Sequence, residues 1–224
     1  MNPKRVLYVI SSSRLGGAER YAASSIKGLS GLGIEVHVAC PSGPMAIAYR
    51  ASAASVTTME LDDVFSLADA RGIALLARRT GCELVSTHLW NADVLGGLAI
   101  RVGGKGPLVS TVYGAYHLPV GEPGLRGARR KALSSAYRAV YSLFDRVIAV
   151  SDYVRRDLTE RRGLRLDPRR VRLVAPAVDL RPTPEEPVPA GFKDPASPRL
   201  VCVANFYPIK GQETLIRALP SLRA

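Results

Sequence analysis

The chain has 224 residues, of which 47% are hydrophobic and 22% charged, with 31 Lys and Arg against 19 Asp and Glu for a net charge of +12. This is ordinary globular material with apolar side chain for a sizeable core. No run approaches the ~18 to 20 apolar residues of a bilayer span, the N-terminus enters a strand-like segment without a charged-then-apolar leader, and Cys40, Cys82 and Cys202 are too scattered for a disulfide framework or a metal pair, so they read as buried cytosolic thiols.

In chain order, Arg5–Ile10 reads as a strand buried on both faces. A small-residue turn holding Gly16 and Gly17 follows, and then Ala18, Tyr21, Ala22, Ser25, Ile26 and Leu29 recur at helical spacing. Such a unit can cradle a phosphate or a sugar hydroxyl at the helix N-terminus; it can equally be a plain βα turn. It is not a dinucleotide fingerprint, because the glycines are adjacent and no third one follows.

The alternation continues. Strands are expected over 35–40, 55–61, 83–88, 107–113, 146–150 and 170–175. Helices are expected up to Ser52 and over 67–79, 92–102, 127–144 and 152–162. Ser151 can cap the last of these, though Val154 stands where a capping box needs Glu. The pattern predicts an α/β fold, a doubly wound parallel sheet with right-handed crossovers. In such sheets ligands bind beyond the carboxyl ends of the strands, which gathers Gly16 and Gly17, His88 with Asn91, the Tyr113-to-His117 turn and Ser151 on one rim.

Six prolines between Leu180 and Pro198 read as a semi-rigid linker. Beyond it, a strand over Arg199–Ala204 and a helix from about Gln212 to Leu222 form one βα unit, which cannot bury its own faces and reads as the beginning of a second domain. The expected division is 1–179 for the first domain, 180–198 for the linker and 199–224 for the fragment of the second.

The positive charge is uneven: residues 113–224 carry 20 Lys and Arg against 11 acids, most of the excess between Arg126 and Arg172. Arg126, Arg129, Arg130, Lys131 and Arg138 share a predicted helix with Leu133, Tyr137, Val140, Tyr141 and Phe144. A solvated face fits this pattern, and so does attachment to an anionic membrane surface. Nucleic acid is not expected, because no exposed aromatics are interleaved and no nucleic-acid module is recognisable.

Several short stretches together resemble family-four glycosyltransferases of the two-Rossmann-domain (GT-B) type, over essentially the whole chain. They are Gly16-Gly-Ala-Glu19, Thr87-His88, Ser110-Thr-Val-Tyr-Gly114, Asp145-Arg-Val-Ile-Ala-Val-Ser151, Val178-Asp179 and Ala204-Asn-Phe-Tyr-Pro-Ile-Lys-Gly211. The resemblance implies a retaining, metal-independent transfer from a nucleotide sugar to a glycan or lipid-linked acceptor, with no cofactor and a cytoplasmic location, peripheral on the inner face of the membrane. By the same resemblance Gly16 and Gly17 face the donor from the acceptor side, and Asn205, Lys210 and Gly211 lie on the donor side. Lys210 neutralises the diphosphate that gathers charge as it leaves. His88, Tyr113 and His117 are the expected catalytic residues, and Glu19, Trp90, Asn91 and Ser151 the acceptor contacts.

Three departures stand out. Tyr113 replaces a histidine, Asn205 replaces an arginine, and the family's Glu-x7-Glu donor motif falls beyond Ala224. The chain by itself is therefore expected to show weak or no turnover, and a competing reading is a non-catalytic truncated module that binds an acceptor or a partner supplying the donor domain. For single residues the plainer readings stand beside the functional ones: a satisfied histidine for His88, dipole compensation for Glu19, packing for Trp90.

Overall fold

The computed structural model of the chain describes residues 3–104, 106–114, 127–160, 164–177 and 200–222. Seven parallel strands form its sheet: β1 (Arg5–Ile10), β2 (Glu35–Cys40), β3 (Ser55–Thr58), β4 (Leu84–His88), β5 (Leu108–Val112), β6 (Arg146–Ala149) and β7 (Val171–Leu173). Their order, β3-β2-β1-β4-β5-β6-β7, reverses beside β1. This is the doubly wound, Rossmann-like α/β arrangement, whose ligand crevice lies at the carboxyl end of the strands near that reversal.

The helices are α1 (Gly17–Gly31), α2 (Pro44–Tyr49), α3 (Leu67–Arg79), α4 (Trp90–Arg101), α5 (Gly127–Tyr141), α6 (Asp152–Thr159) and α7 (Gln212–Leu222). Strand side chains alternate between faces, and β1 shows the consequence. Val6, Tyr8 and Ile10 join Ala22 and Ile26 of α1 and Met45, Ala46 and Tyr49 of α2 in one core layer. Leu7 and Val9 join Ile73 of α3, Leu95 of α4, Tyr141 of α5 and Leu158 of α6 in the other. Each fully buried Leu or Ile in these layers contributes roughly 1.5–3 kcal/mol, so β1, buried from Val6 through Ile10, anchors both.

The sequence pattern places the elements well and overruns some ends. β3 stops at Thr58 instead of Leu61, and α5 at Tyr141 instead of Phe144. α4 begins at Trp90, so Trp90 and Asn91 belong to its first turn.

The described residues divide into two compact units, one up to residue 177 and one at 200–222. The predicted linker lies outside the described residues. In the second unit the predicted strand over Arg199–Ala204 is not formed at 200–204. A strand needs a neighbour for its backbone groups, and none occurs there among the described residues. Val201 and Val203 are 76% and 94% exposed, and Cys202 is exposed where a buried thiol was expected. α7 is present as predicted, after a single 3-10 turn at Pro208–Lys210. No helix among the described residues is long and apolar enough to cross a membrane.

Candidate active site

The chain leaves β1 at Ile10 and enters α1 through Gly16, whose backbone is extended, with φ −129° and ψ 172°. No side chain among the described residues caps this end. The first N–H groups of a helix lack internal partners, so they are available to a ligand here. A Cβ on Gly16 would meet the carboxylate of Glu19, which is buried and folded back over the turn. Around Gly17 nothing lies within 4 Å of where a Cβ would stand, so this backbone faces open space.

His88 ends β4 on the α1 side of the sheet, because it pairs in register with Ile10. It is 1% exposed. Nδ1 lies 2.7 Å from the Tyr113 hydroxyl and Nε2 lies 3.3 Å from Ser86 Oγ. Tyr8 covers its ring at a centroid distance of 4.5 Å. Burial pushes the imidazole down to about 3, so it is neutral at pH 7. A neutral imidazole has one N–H and one lone pair, so one of its two partners donates and the other accepts. The Tyr113 ring, half-buried just past β5, meets Tyr21 of α1 edge-on at 5.4 Å. Tyr8 in turn shares a 2.8 Å hydrogen bond with Ser25 of α1.

These contacts make one network: Ser25, Tyr8, His88, Tyr113 and Tyr21 in sequence, closed on α1. On its outer side Tyr21, Ser24 and Ser25 line a cavity of about 190 Å³ with Val174, Ala175 and Ala177 as the facing wall. One wall carries hydroxyls and the other is apolar. Tyr8, Tyr21, Ser24 and Ser25 do not stand out in the sequence as site residues. The available signal was Tyr8, a phenol inside the apolar run from Val6 to Ile10, which needs a hydrogen-bond partner when buried.

Leu89 joins His88 to α4 with φ 75° and ψ 157°, a region almost reserved for glycine that costs of order 1–3 kcal/mol for other residues. The turn leads directly into Trp90 and Asn91, the first residues of α4. Trp90 stacks on Tyr137 at 3.8 Å, and Asn91 Nδ2 donates to the carbonyls of Leu61 and Asp62 at 3.2 and 3.3 Å. Both side chains are thereby engaged within the protein. Ser151 caps α6 by accepting from the Val154 N–H at 3.2 Å. Asp152 pairs with Arg155 and Arg156, and the Arg155 hydrogen bond holds its carboxyl below the usual range.

On the other face of β4, Asp93 of α4 is 1% exposed. Thr87 donates to its carboxylate, Tyr141 Oη donates at 3.1 Å, and the Ser110 hydroxyl adjoins it. Burial outweighs these hydrogen bonds and raises the carboxyl to about 7. Sequence reading passed over Asp93, a lone acid in a small-residue helix, which was itself the signal.

In the second unit Gly211 follows the 3-10 turn at φ 71°, where other residues are strained, and α7 starts at once. Lys210 is exposed beside that helix N-terminus, and Gln212 Nε2 donates to the Asn205 carbonyl at 2.7 Å. His117 and Arg126 lie outside the described residues. Arg129, Arg130 and Lys131 fall in the first turns of α5. Among the described residues no three His, Cys, Asp or Glu side chains converge as a metal site.

Among solved structures, a glycosyltransferase from Rickettsia africae is similar at 19% identity and TM-score 0.61, covering 78% of this chain and 43% of that one. Anabaena Alr3699/HepE in complex with UDP-glucose is similar at 16% identity and TM-score 0.61, covering 78% and 44%. The lipopolysaccharide outer core galactosyltransferase WaaB is similar at 13% identity and TM-score 0.57, covering 83% and 50%. The match thus spans half the length of these proteins or less, and at such identities the likeness is one of fold. No curated protein sequence matches significantly. The sequence pattern of Glycosyltransferase Family 4 matches residues 15–181, well over half of the chain, and by that match the chain belongs to this family.

Proposed function

We propose that this chain carries the acceptor side of a glycosyltransferase that uses a nucleotide sugar and proceeds with retention and without a metal. The observation that carries the reading is the Tyr113 hydroxyl, held at the carboxyl end of β5 by the buried, neutral His88. The uncapped start of α1 is on the same rim. In this reading Tyr113 meets the transferring sugar and His88 is a positioning residue behind it. Gly16 and Gly17 approach the donor, and the cavity beside Tyr21 and Ser24 takes an acceptor ring, whose apolar face suits Ala175 and whose hydroxyls suit the serines. Glu19 holds the glycine turn in shape. Lys210 and the start of α7 supply positive charge to a diphosphate. Proteins of similar fold that were solved with UDP and UDP-glucose support this donor class.

The test is saturation-transfer NMR on the full chain with a panel of methyl glycosides. Contact with at least one glycoside that is lost in Tyr21→Phe and Ser24→Leu supports the reading; no contact with any of them contradicts it.

A second reading, a binding half completed by a partner, is favoured by the apolar surface of the second unit, where Val203 and Phe206 are each 94% exposed. Turnover of a nucleotide sugar by the chain alone would eliminate it. Attachment to an anionic membrane through the start of α5 accompanies either reading.

A further inference from the structure

His88 is a neutral imidazole held between two unlike hydroxyls, the phenol of Tyr113 at Nδ1 and the aliphatic hydroxyl of Ser86 at Nε2. Ser86 stands two residues before it in β4 and so on the same face of the sheet, where it is buried. Tyr8 pairs in register with Ser86, covers the imidazole ring, and bonds Ser25 with its own hydroxyl. We propose that Ser86 is a positioning residue that accepts the Nε2–H of His88, so that Nδ1 receives the Tyr113 proton and Tyr113 meets a substrate as a hydrogen-bond acceptor. The substrate part rests on the transferase reading; the tautomer does not.

Two arrangements satisfy both contacts. Either Tyr113 donates to Nδ1 and Nε2–H donates to Ser86, or Ser86 donates to Nε2 and Nδ1–H donates to Tyr113. The distances separate them. Hydroxyl donors lie about 2.5–3.0 Å from their acceptors and N–H donors about 2.7–3.2 Å. The 2.7 Å contact at Tyr113 is ideal for an O–H donor, and the 3.3 Å contact at Ser86 lies nearer the N–H range than the O–H range. Acidity agrees, because a phenol is a stronger acid and a better donor than an aliphatic hydroxyl. A small apolar residue at position 86 would serve packing equally well, but it would leave a buried N–H without an acceptor. The consequence is selectivity. The one proton of Tyr113 Oη is committed to His88, so a group that meets this oxygen from the rim must donate. A sugar hydroxyl does so; an ionised phosphate does not, and its place is the uncapped start of α1.

The experiment is long-range proton–nitrogen NMR on the full chain at neutral pH, with His88 assigned by His88→Gln. The protonated and the bare nitrogen of a neutral imidazole differ widely in shift, so the spectrum reads the tautomer directly. A bare Nδ1 and a protonated Nε2 are expected; the reverse, or an even mixture, overturns the proposal. Ser86→Ala should raise the Nδ1–H form severalfold, and Ser86→Thr, which keeps a hydroxyl and suits a strand, should restore the original pattern. Lower thermal stability in Ser86→Ala with unchanged nitrogen shifts assigns Ser86 to packing and overturns its role. The unmodified chain and Ser86→Thr decide the tautomer even where Ser86→Ala does not fold. Methyl glucoside, galactoside and mannoside, each set against its monodeoxyfluoro analogues, then test the selectivity. Fluorine removes the donor, so at one ring position it should abolish the shift of the Tyr113 resonances that the parent glycoside causes; retention by every fluoro analogue overturns the selectivity. No shift with any parent glycoside contradicts the transferase reading and the selectivity with it, while the tautomer stands or falls on the nitrogen spectrum.

Discussion

Thr87 and His88 are neighbours in β4, yet they serve opposite faces of the sheet and two different electrostatic problems. On the α1 face, His88 is buried against Tyr8 and has lost its charge; on the other, Thr87 supports Asp93, whose carboxyl is raised to about 7. Both groups are 1% exposed. Burial penalises the charged form in each case, so it lowers a histidine and raises an acid. A buried titratable group thus follows the same rule on both faces, with opposite consequences for stability against pH.

The largest expected effect concerns His88. Folding favours its neutral form, so its contribution is whole above its ordinary value of 6.5 and is lost as pH falls toward about 3. The stability gap between the unmodified chain and His88→Gln, from urea denaturation, should narrow by about 2 to 3 kcal/mol between pH 7 and pH 4.5. A gap that stays constant breaks the comparison on that face.

Asp93 runs the other way. Its folded value lies above the unfolded 3.8, so stability is present at low pH and is lost as pH rises toward about 7. Asp93→Asn should gain on the unmodified chain by about 2 kcal/mol between pH 5 and pH 7. The double variant should show neither trend.

Tyr113→Phe sharpens the contrast by removing one partner of His88, a loss of about 1 to 2 kcal/mol at pH 7. It leaves the Asp93 trend untouched, because the side chain is on the other face. The smallest effect is that of Ser151→Ala, which removes the cap of α6 at about 1 kcal/mol. Its shift in thermal unfolding should not vary with pH, since neither titrating group is involved.

The fold was legible because hydrophobic periodicity is a local property. Leu67–Arg79 appears as a helix with the predicted ends, since Ser66 accepts from the Asp69 N–H and closes its start. The strand predicted over Arg199–Ala204 is not formed at 200–204, because a strand is not local; its apolar residues say what it needs, not whether a neighbour provides it. The rim was found by topology, which placed Gly16, His88 and Tyr113 together. What the sequence could not show was direction. The strained turn at Leu89 points Trp90 into the α5 aromatics, and the contact between His88 and Tyr113 spans 25 residues. Glu19 was open between dipole compensation and an acceptor contact, and its carboxylate is folded back beside Gly16, a direction the sequence does not give.

The account rests on a neutral His88 holding the Tyr113 hydroxyl, and the direct measurement is an NMR titration of the imidazole, assigned among the three histidines with His88→Gln. A neutral ring with no titration from pH 8 down to about pH 4.5, and a resonance that moves in Tyr113→Phe, is the predicted result. A midpoint near the ordinary 6.5, or a resonance indifferent to Tyr113, would contradict it.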